Sequence, residues 1–203
     1  MPRASGSITE VLADLARALR GLRTRWYVFG AQALVLRGYP RATADLDVTV
    51  LLGAMPTSRL VTALGKRGFS PSFRDTAFVA TTRVLPVVHR ATGFPVDIVL
   101  GGPGLEERFA LTAERVRVGR LQVPVATATH LVVMKVLAGR PKDIEDAAAL
   151  LAMQASQINA AELDELTKAL AAALGEDDVL AHLREARRRA SRLRGHRKAD
   201  RGV

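Results

Sequence analysis

"RATADLDVTV" spans residues 41–50, and its reading decides how the first half of the chain folds. The continuation "LDVTVLL" (46–52) is an apolar, β-branched run of strand length. Asp45 and Asp47 stand one residue apart at its start, where a strand entering a core should carry apolar side chains. Side chains alternate along a strand, so positions i and i+2 share a face and both carboxylates project together. Two like charges so placed resist joint ionisation unless a cation lies between them. A turn or capping role is the alternative, but a strand rather than a helix follows Asp45.

A third carboxylate, Asp97, lies inside "FPVDIVL" (94–100), a second strand with apolar residues on both sides. An unpartnered aspartate in mid-strand is costly. If the two strands are neighbours, Asp45, Asp47 and Asp97 form one platform. Mg²⁺ suits it, because that ion takes oxygen ligands, one or two carboxylates plus substrate phosphates. Such a platform, with one or two ions, serves in-line phosphoryl or nucleotidyl transfer. Asp97 is placed to accept the proton of an attacking hydroxyl.

Upstream, "WYVFG" (26–30) reads as a short buried strand ending at a glycine, and "AQALVLRG" (31–38) as a helix that starts at once. A helix start with small residues offers backbone N–H groups to an anion, and Gly30 lets the backbone approach a phosphate closely. Ala31 and Gln32 complete that turn.

The rest of the chain follows the same logic. Ile8, Val11, Leu12, Leu15, Leu19 and Leu22 recur at helical spacing. Residues 56–66 read as a helix with Pro56 near its first turn. Residues 77–90 read as a strand or hairpin arm, with Pro86 favouring an edge or bulge. Gly101 to Gly104 is a turn, and 115–126 a hairpin turning at Gly119. From Thr127 onward the pattern is helical, over 127–138, 142–153, 160–174 and 177–194. The expected organisation is an α/β (α+β) core over 1–126, a mixed β-sheet flanked by helices, followed by a helical region over 127–195. A basic tail over 196–203 is expected to be disordered.

Composition sets the outer limits. The 203 residues are 48% hydrophobic, enough for a core. No apolar run reaches the ~18 residues of a membrane span, and the charged N-terminal stretch does not read as a signal peptide. The absence of cysteine excludes disulfides and thiol-ligated zinc, and fits a cytoplasmic protein. The net charge is +10, and nine of the basic residues fall between Arg184 and Arg201, opposed only by Glu185 and Asp200. Two readings stay open for that stretch: a nucleic-acid-binding tail, or the solvated end of a helix in an arginine-rich chain. His89, His130, His182 and His196 do not pair at metal-ligand spacing, so each is expected to be structural or exposed.

The run Gly30-Ala31-Gln32-Ala33, then Gly38, Arg41, Thr43 and Asp45-Leu46-Asp47, resembles the nucleotidyltransferase superfamily typified by DNA polymerase β. It looks closest to the AbiEii-like group of toxin–antitoxin and phage-defence systems. A second stretch, "HLVVMKVLAGRPKDIEDAAAL" (130–150), is similar to that group's "K..A..R..KD..D" helix motif. The resemblance covers about residues 26–150. It implies a minimal nucleotidyltransferase fold, Mg²⁺, and a nucleoside triphosphate (NTP) donor whose nucleoside monophosphate (NMP) passes to an acceptor. Carried over by motif, Asp45 and Asp47 ligate metal and Lys135 contacts the triphosphate. Asp146, with Asp143 second, is the downstream acidic residue. Arg41, Thr43, Arg140 and Lys142 belong to the nucleotide-binding set. Arg41 has three readings: steering triphosphate, bracing the Asp45 loop, or simple solvation. The resembled toxins modify tRNA ends, which makes RNA the expected acceptor and an antitoxin protein an expected partner. A protein side chain or a small molecule such as an antibiotic is the other acceptor class. Many superfamily members carry a serine after the glycine turn, where Ala31 and Gln32 stand here. That departure motivates the alternative of a catalytically silent nucleotide- or RNA-binding module. For Asp146, spacing alone also allows an ordinary surface ion pair with Lys142, four residues before it.

Overall fold

The computed structural model describes residues 4–72 and 76–199, with side chains described over 8–72 and 77–195. It divides into two compact units, Met1–Ala126 and Thr127–Val203. The first is a mixed α/β unit. In chain order it comprises α1 (Ala4–Leu22), β1 (Trp26–Phe29), α2 (Gly30–Leu36), β2 (Leu46–Leu51), α3 (Thr57–Gly65) and β3 (Phe69–Pro71). There follow α4 (Thr76–Thr82), β4 (Val84–His89), β5 (Phe94–Gly101), α5 (Leu105–Thr112), β6 (Glu114–Val118) and β7 (Leu121–Val125).

The seven strands form one sheet in the order β3-β4-β5-β2-β1-β7-β6. β2 runs parallel to β5 and β1 parallel to β7, and the other neighbours are antiparallel. Strand alternation then sorts the side chains. Leu46, Val48, Val50, Val96 and Ile98 are fully buried on one face, as are Val11, Leu12, Leu15 and Leu19 of α1. α1 packs against β5, β7 and α3. The other face of β1 and β2 carries Tyr27, Phe29, Asp47 and Thr49. Phe109 of α5 meets Tyr27 edge-on there, with ring centroids 6.5 Å apart.

Residues 77–90 depart from expectation. They are not one strand or hairpin arm, because α4 occupies the first part and β4 only Val84–His89. The β-branched residues of "FVATT" favour a strand, but strand propensity is a preference that tertiary context overrides. Arg83 makes the junction. Its φ of 56° turns the chain, and its Nε and a terminal guanidinium nitrogen donate to the Leu100 carbonyl at 2.9 and 2.6 Å. Pro86 lies within the second strand of the sheet, aligned with Asp97 on one side, and on the other its carbonyl accepts from Ser72 N–H at 3.0 Å, just past the end of β3. Within this unit two described elements lie outside the sequence reading, the three-residue β3 and the helix α5.

The second unit is helical: α6 (Ala128–Ala138), α7 (Pro141–Met153), a short 3-10 turn (Ala155–Gln157), α8 (Ala160–Leu174) and α9 (Asp178–Ala199). α6 is central, packed by α7, α8 and α9, and is accordingly apolar on most of its circumference. Thr127 caps it by accepting the His130 N–H at 3.1 Å, and Gly139 closes it in the left-handed conformation. Asn159 caps α8 in the same way, accepting from Glu162 N–H at 3.1 Å. α9 continues through Ala199, so the stretch expected to fray from 196 is helical for its first four residues. Residues 200–203 of that expected tail lie outside the described residues.

One polar anchor of the first unit has no sequence signature. Arg37, just after α2, has a side chain only 4% exposed. Its Nε and a terminal nitrogen donate to the Ala126 carbonyl at 2.9 and 2.6 Å, and that same terminal nitrogen lies 2.6 Å from Glu114 Oε2. Arg37→Ala strands a buried carbonyl, so a loss of about 1–3 kcal/mol is expected. Glu114→Ala, which removes only the half-exposed partner, is expected to lose about 1 kcal/mol or less. Urea unfolding of both variants checks the ranking.

Candidate active site

The site begins with strand register. β2 and β5 are parallel neighbours, and Asp47 is aligned directly with Asp97. Side chains at aligned positions of adjacent strands share a face. Asp47 and Asp97 are both half-buried, and Asp45 is exposed. The Asp97 carboxyl is held above the usual carboxylate range, first by burial and then by the negative charge of Asp45. Asp45 is itself oriented: Thr43 Oγ1 donates to its Oδ1 at 2.8 Å. The structure thus brings the three aspartates to one side of the sheet. It does not close them into a tight cluster. Among the described residues, the group of three acidic or histidine ligands whose donor atoms all lie within 4.8 Å of one another is Glu10, Asp14 and His89. Three mutually repelling carboxylates on a sheet are expected to splay. Their donor set, all carboxylate oxygen without nitrogen or sulfur, fits a hard divalent cation such as Mg²⁺.

Gly30 supplies the second half of the site. It opens α2 with φ +68°, a left-handed conformation that favours glycine. The strand residue before it, Phe29, is aligned with Asp47 across β1 and β2. A Cβ placed on Gly30 would lie 1.8 Å from Asp47 Oδ2, so the carboxylate rests where a side chain would be. Gly30 and Asp47, well apart in sequence, therefore pack directly on each other.

The remaining expected site residues of this unit are placed as follows. Ala31 and Gln32 form the first turn of α2, with Gln32 buried. Arg41 is half-buried in the loop leading into β2, which removes the reading of simple solvation. Beneath the site, burial pushes the Tyr27 phenol up to about 12. The hydrogen bond with Thr49 opposes that shift and the Glu106 charge adds to it.

The second motif falls in the helical unit. Lys135, near the end of α6, is 8% exposed, and its Nζ lies 2.7 Å from Asp143 Oδ1 and 2.9 Å from Asp146 Oδ2. Both aspartates are fully buried. Arg140, largely exposed, adds a contact to Asp143 Oδ2 at 2.5 Å. Burial acts to raise the Asp143 carboxyl, but hydrogen bonds from Arg140 and Lys135 outweigh it and hold it below the usual range. The alternative of a surface pair between Lys142 and Asp146 is overturned: Lys142 is exposed, and Asp146 faces inward to Lys135. The Gly139 turn between α6 and α7 brings these residues together. The three aspartates and the Lys135 group belong to different units.

The histidines are largely structural. His130 Nε2 lies 3.1 Å from Glu162 Oε1, and His182 Nδ1 lies 2.9 Å from the Val136 carbonyl. The side chain of His196 lies outside the described residues. His89 differs, because it is buried beside Asp14, and no sequence spacing links them.

With this geometry in place, comparison with solved structures identifies the fold as that of nucleotidyltransferases. The solution structure of the antibiotic-resistance factor ANT(2'')-Ia is 13% identical, covering 97% of this chain and 97% of that one, with a TM-score of 0.51. A crystal structure of ANT(2'')-Ia in complex with adenylyl-2''-tobramycin is 12% identical over 81% of this chain and 97% of that one, with a TM-score of 0.58. An antigenic nucleotidyltransferase-like protein from Paracoccidioides brasiliensis is 18% identical over 86% and 91%, with a TM-score of 0.51. No protein-family model matches the chain, and no curated protein matches it in sequence.

Gly30→Ala is expected to lower stability by more than the ~1–2 kcal/mol of a left-handed alanine, because the Asp47 carboxylate must also move. Gly38→Ala is the control: Gly38 has φ +85° and nothing within 4 Å of an added Cβ. Urea unfolding should show Gly30→Ala clearly the more damaging of the two.

Proposed function

We propose that the protein is a Mg²⁺-dependent nucleotidyltransferase that moves NMP from an NTP to an acceptor hydroxyl. The observation that carries this reading is the alignment of Asp47 with Asp97 on parallel strands beside Gly30. Asp45, Asp47 and Asp97 would hold the metal, which supplies charge neutralisation at the triphosphate when bound. The acceptor oxygen forms a bond to the α-phosphorus while the bond from that phosphorus to pyrophosphate breaks. Asp97 takes the hydroxyl proton, and a carboxyl held above the usual range is the better base for it. Thr43 holds Asp45 in orientation. Gly30, Ala31 and Gln32 offer phosphate their backbone N–H groups, and Arg41 adds positive charge at the loop into β2.

The family resemblance assigns Lys135 to the triphosphate. Its ammonium donates to Asp143 Oδ1 at 2.7 Å and lies 2.9 Å from Asp146 Oδ2. Asp143 and Asp146 are positioning residues, since both are fully buried and act through Lys135. Arg140 and Lys142, both exposed, extend the cationic surface of that motif.

RNA, with tRNA ends first, is the acceptor favoured by the basic α9, in keeping with a toxin of a toxin–antitoxin pair. Part of that charge is internally matched: Arg187 pairs with Asp164, and Arg188 and Arg189 with Glu185. A small-molecule acceptor is the second reading, favoured by the adenylyl-tobramycin complex of the fold neighbour. A silent nucleotide- or RNA-binding module is the alternative, favoured by Ala31 and Gln32 in the place of the usual serine.

Purified protein with Mg²⁺ and α-labelled NTPs is expected to label RNA or an aminoglycoside and to release pyrophosphate. Asp47→Asn should reduce the rate on the order of 10²–10³-fold, the equivalent of several kcal/mol of transition-state stabilisation. Binding of NTP without pyrophosphate release on any acceptor would establish the silent module instead.

A further inference from the structure

The first unit holds a second cluster of ligand-type side chains, remote in register from the aspartates. Glu10 and Asp14 are four residues apart on α1 and so share one face of that helix. His89 ends β4. Their donor atoms all lie within 4.8 Å of one another. His89 pairs with Phe94, three positions before Asp97, whereas Pro86 is aligned with Asp97. Alternation therefore puts His89 on the opposite face of the sheet from Asp97, the face covered by α1.

The imidazole is fixed. It is 1% exposed, stacked at a tilt on Phe69 with centroids 4.9 Å apart. Its Nδ1 lies 3.0 Å from Thr92 Oγ1, and its Nε2 lies 3.3 Å from Asp14 Oδ2. Arg17 takes the other oxygen of Asp14, Oδ1, at 2.8 Å. Among the described residues no basic side chain forms an ion pair with the exposed Glu10. Two carboxylates four residues apart on a helix repel, and Arg17 meets only one of them.

We propose that Glu10, Asp14 and His89 form a binding site for a first-row divalent cation of the Zn²⁺ type, one that ties α1 to the end of β4. A nitrogen with two oxygens suits Zn²⁺ better than Mg²⁺, which takes oxygen. An ion would take the place of the Nε2 proton that Asp14 Oδ2 accepts at 3.3 Å, with Nδ1–H then donated to Thr92 Oγ1, 3.0 Å away, the usual outer-sphere arrangement for a ligating histidine. Three protein ligands leave the fourth position of a tetrahedral ion to water.

The test is calorimetric titration of the full-length, chelator-treated protein with Zn²⁺ alone and with Mg²⁺ alone, followed by visible absorption with Co²⁺. One equivalent of Zn²⁺ beyond any held by the three aspartates is expected to bind, and a Co²⁺ band should appear. Glu10→Gln changes an exposed residue and should weaken Zn²⁺ at least about tenfold, while His89→Gln should abolish the Co²⁺ band. The Asp45→Asn/Asp97→Asn double variant should retain both signals. If His89→Gln fails to fold, Glu10→Gln decides. The proposal is overturned if no stoichiometric Zn²⁺ binds, if Glu10→Gln binds within about twofold of wild type, or if the signal is lost in the Asp45/Asp97 variant.

Discussion

Parallel pairing of β2 with β5 forces two carboxylates to the same level of one sheet. Strand register leaves Asp47 no choice of neighbour: moving it away from Asp97 would slip the strand and turn the apolar set Leu46, Val48 and Val50 out of the core. The hydrophobic face therefore holds the repulsive one in place. On that same face the Asp97 carboxyl is raised, first by burial and then by the negative charge of Asp45. A sheet that tolerates such repulsion has a natural complement in a divalent cation.

The helical unit solves the opposite problem. Lys135, Asp143 and Asp146 are buried charges of opposite sign held together, with Arg140 at the margin. Buried ion pairs contribute little net stability, because desolvation offsets attraction, but removal of one partner is strongly destabilising. This cluster thus fixes the geometry of the α6–α7 turn and holds the Lys135 ammonium in one orientation. Repulsion is thus the electrostatic feature of the first unit, and compensation that of the second.

Much of this was legible in the sequence. The alternation in 46–52 and 94–100 gives β2 and β5, and the glycine turn gives the start of α2. The placement of Asp47 beside Asp97 follows once the strands are neighbours. Other features were hidden for physical reasons. α4 carries β-branched residues whose local preference points to a strand. β3 is only three residues long, too short for a pattern. Arg37 and His89 acquire their roles from partners far away in the chain, Ala126 and Asp14, which no local spacing records. Spacing offered Asp146 only Lys142 as an ion-pair partner, and its actual neighbour Lys135 lies on the preceding helix, across the Gly139 turn.

The most direct test of the central claim is a carbon-detected NMR titration of the Asp97 carboxyl, with and without Mg²⁺. Without metal it should titrate above the usual carboxylate range, and saturating Mg²⁺ should move its midpoint down, because the cation favours the ionised form. An Asp97 that titrates in the usual range and is unmoved by Mg²⁺ would contradict the account.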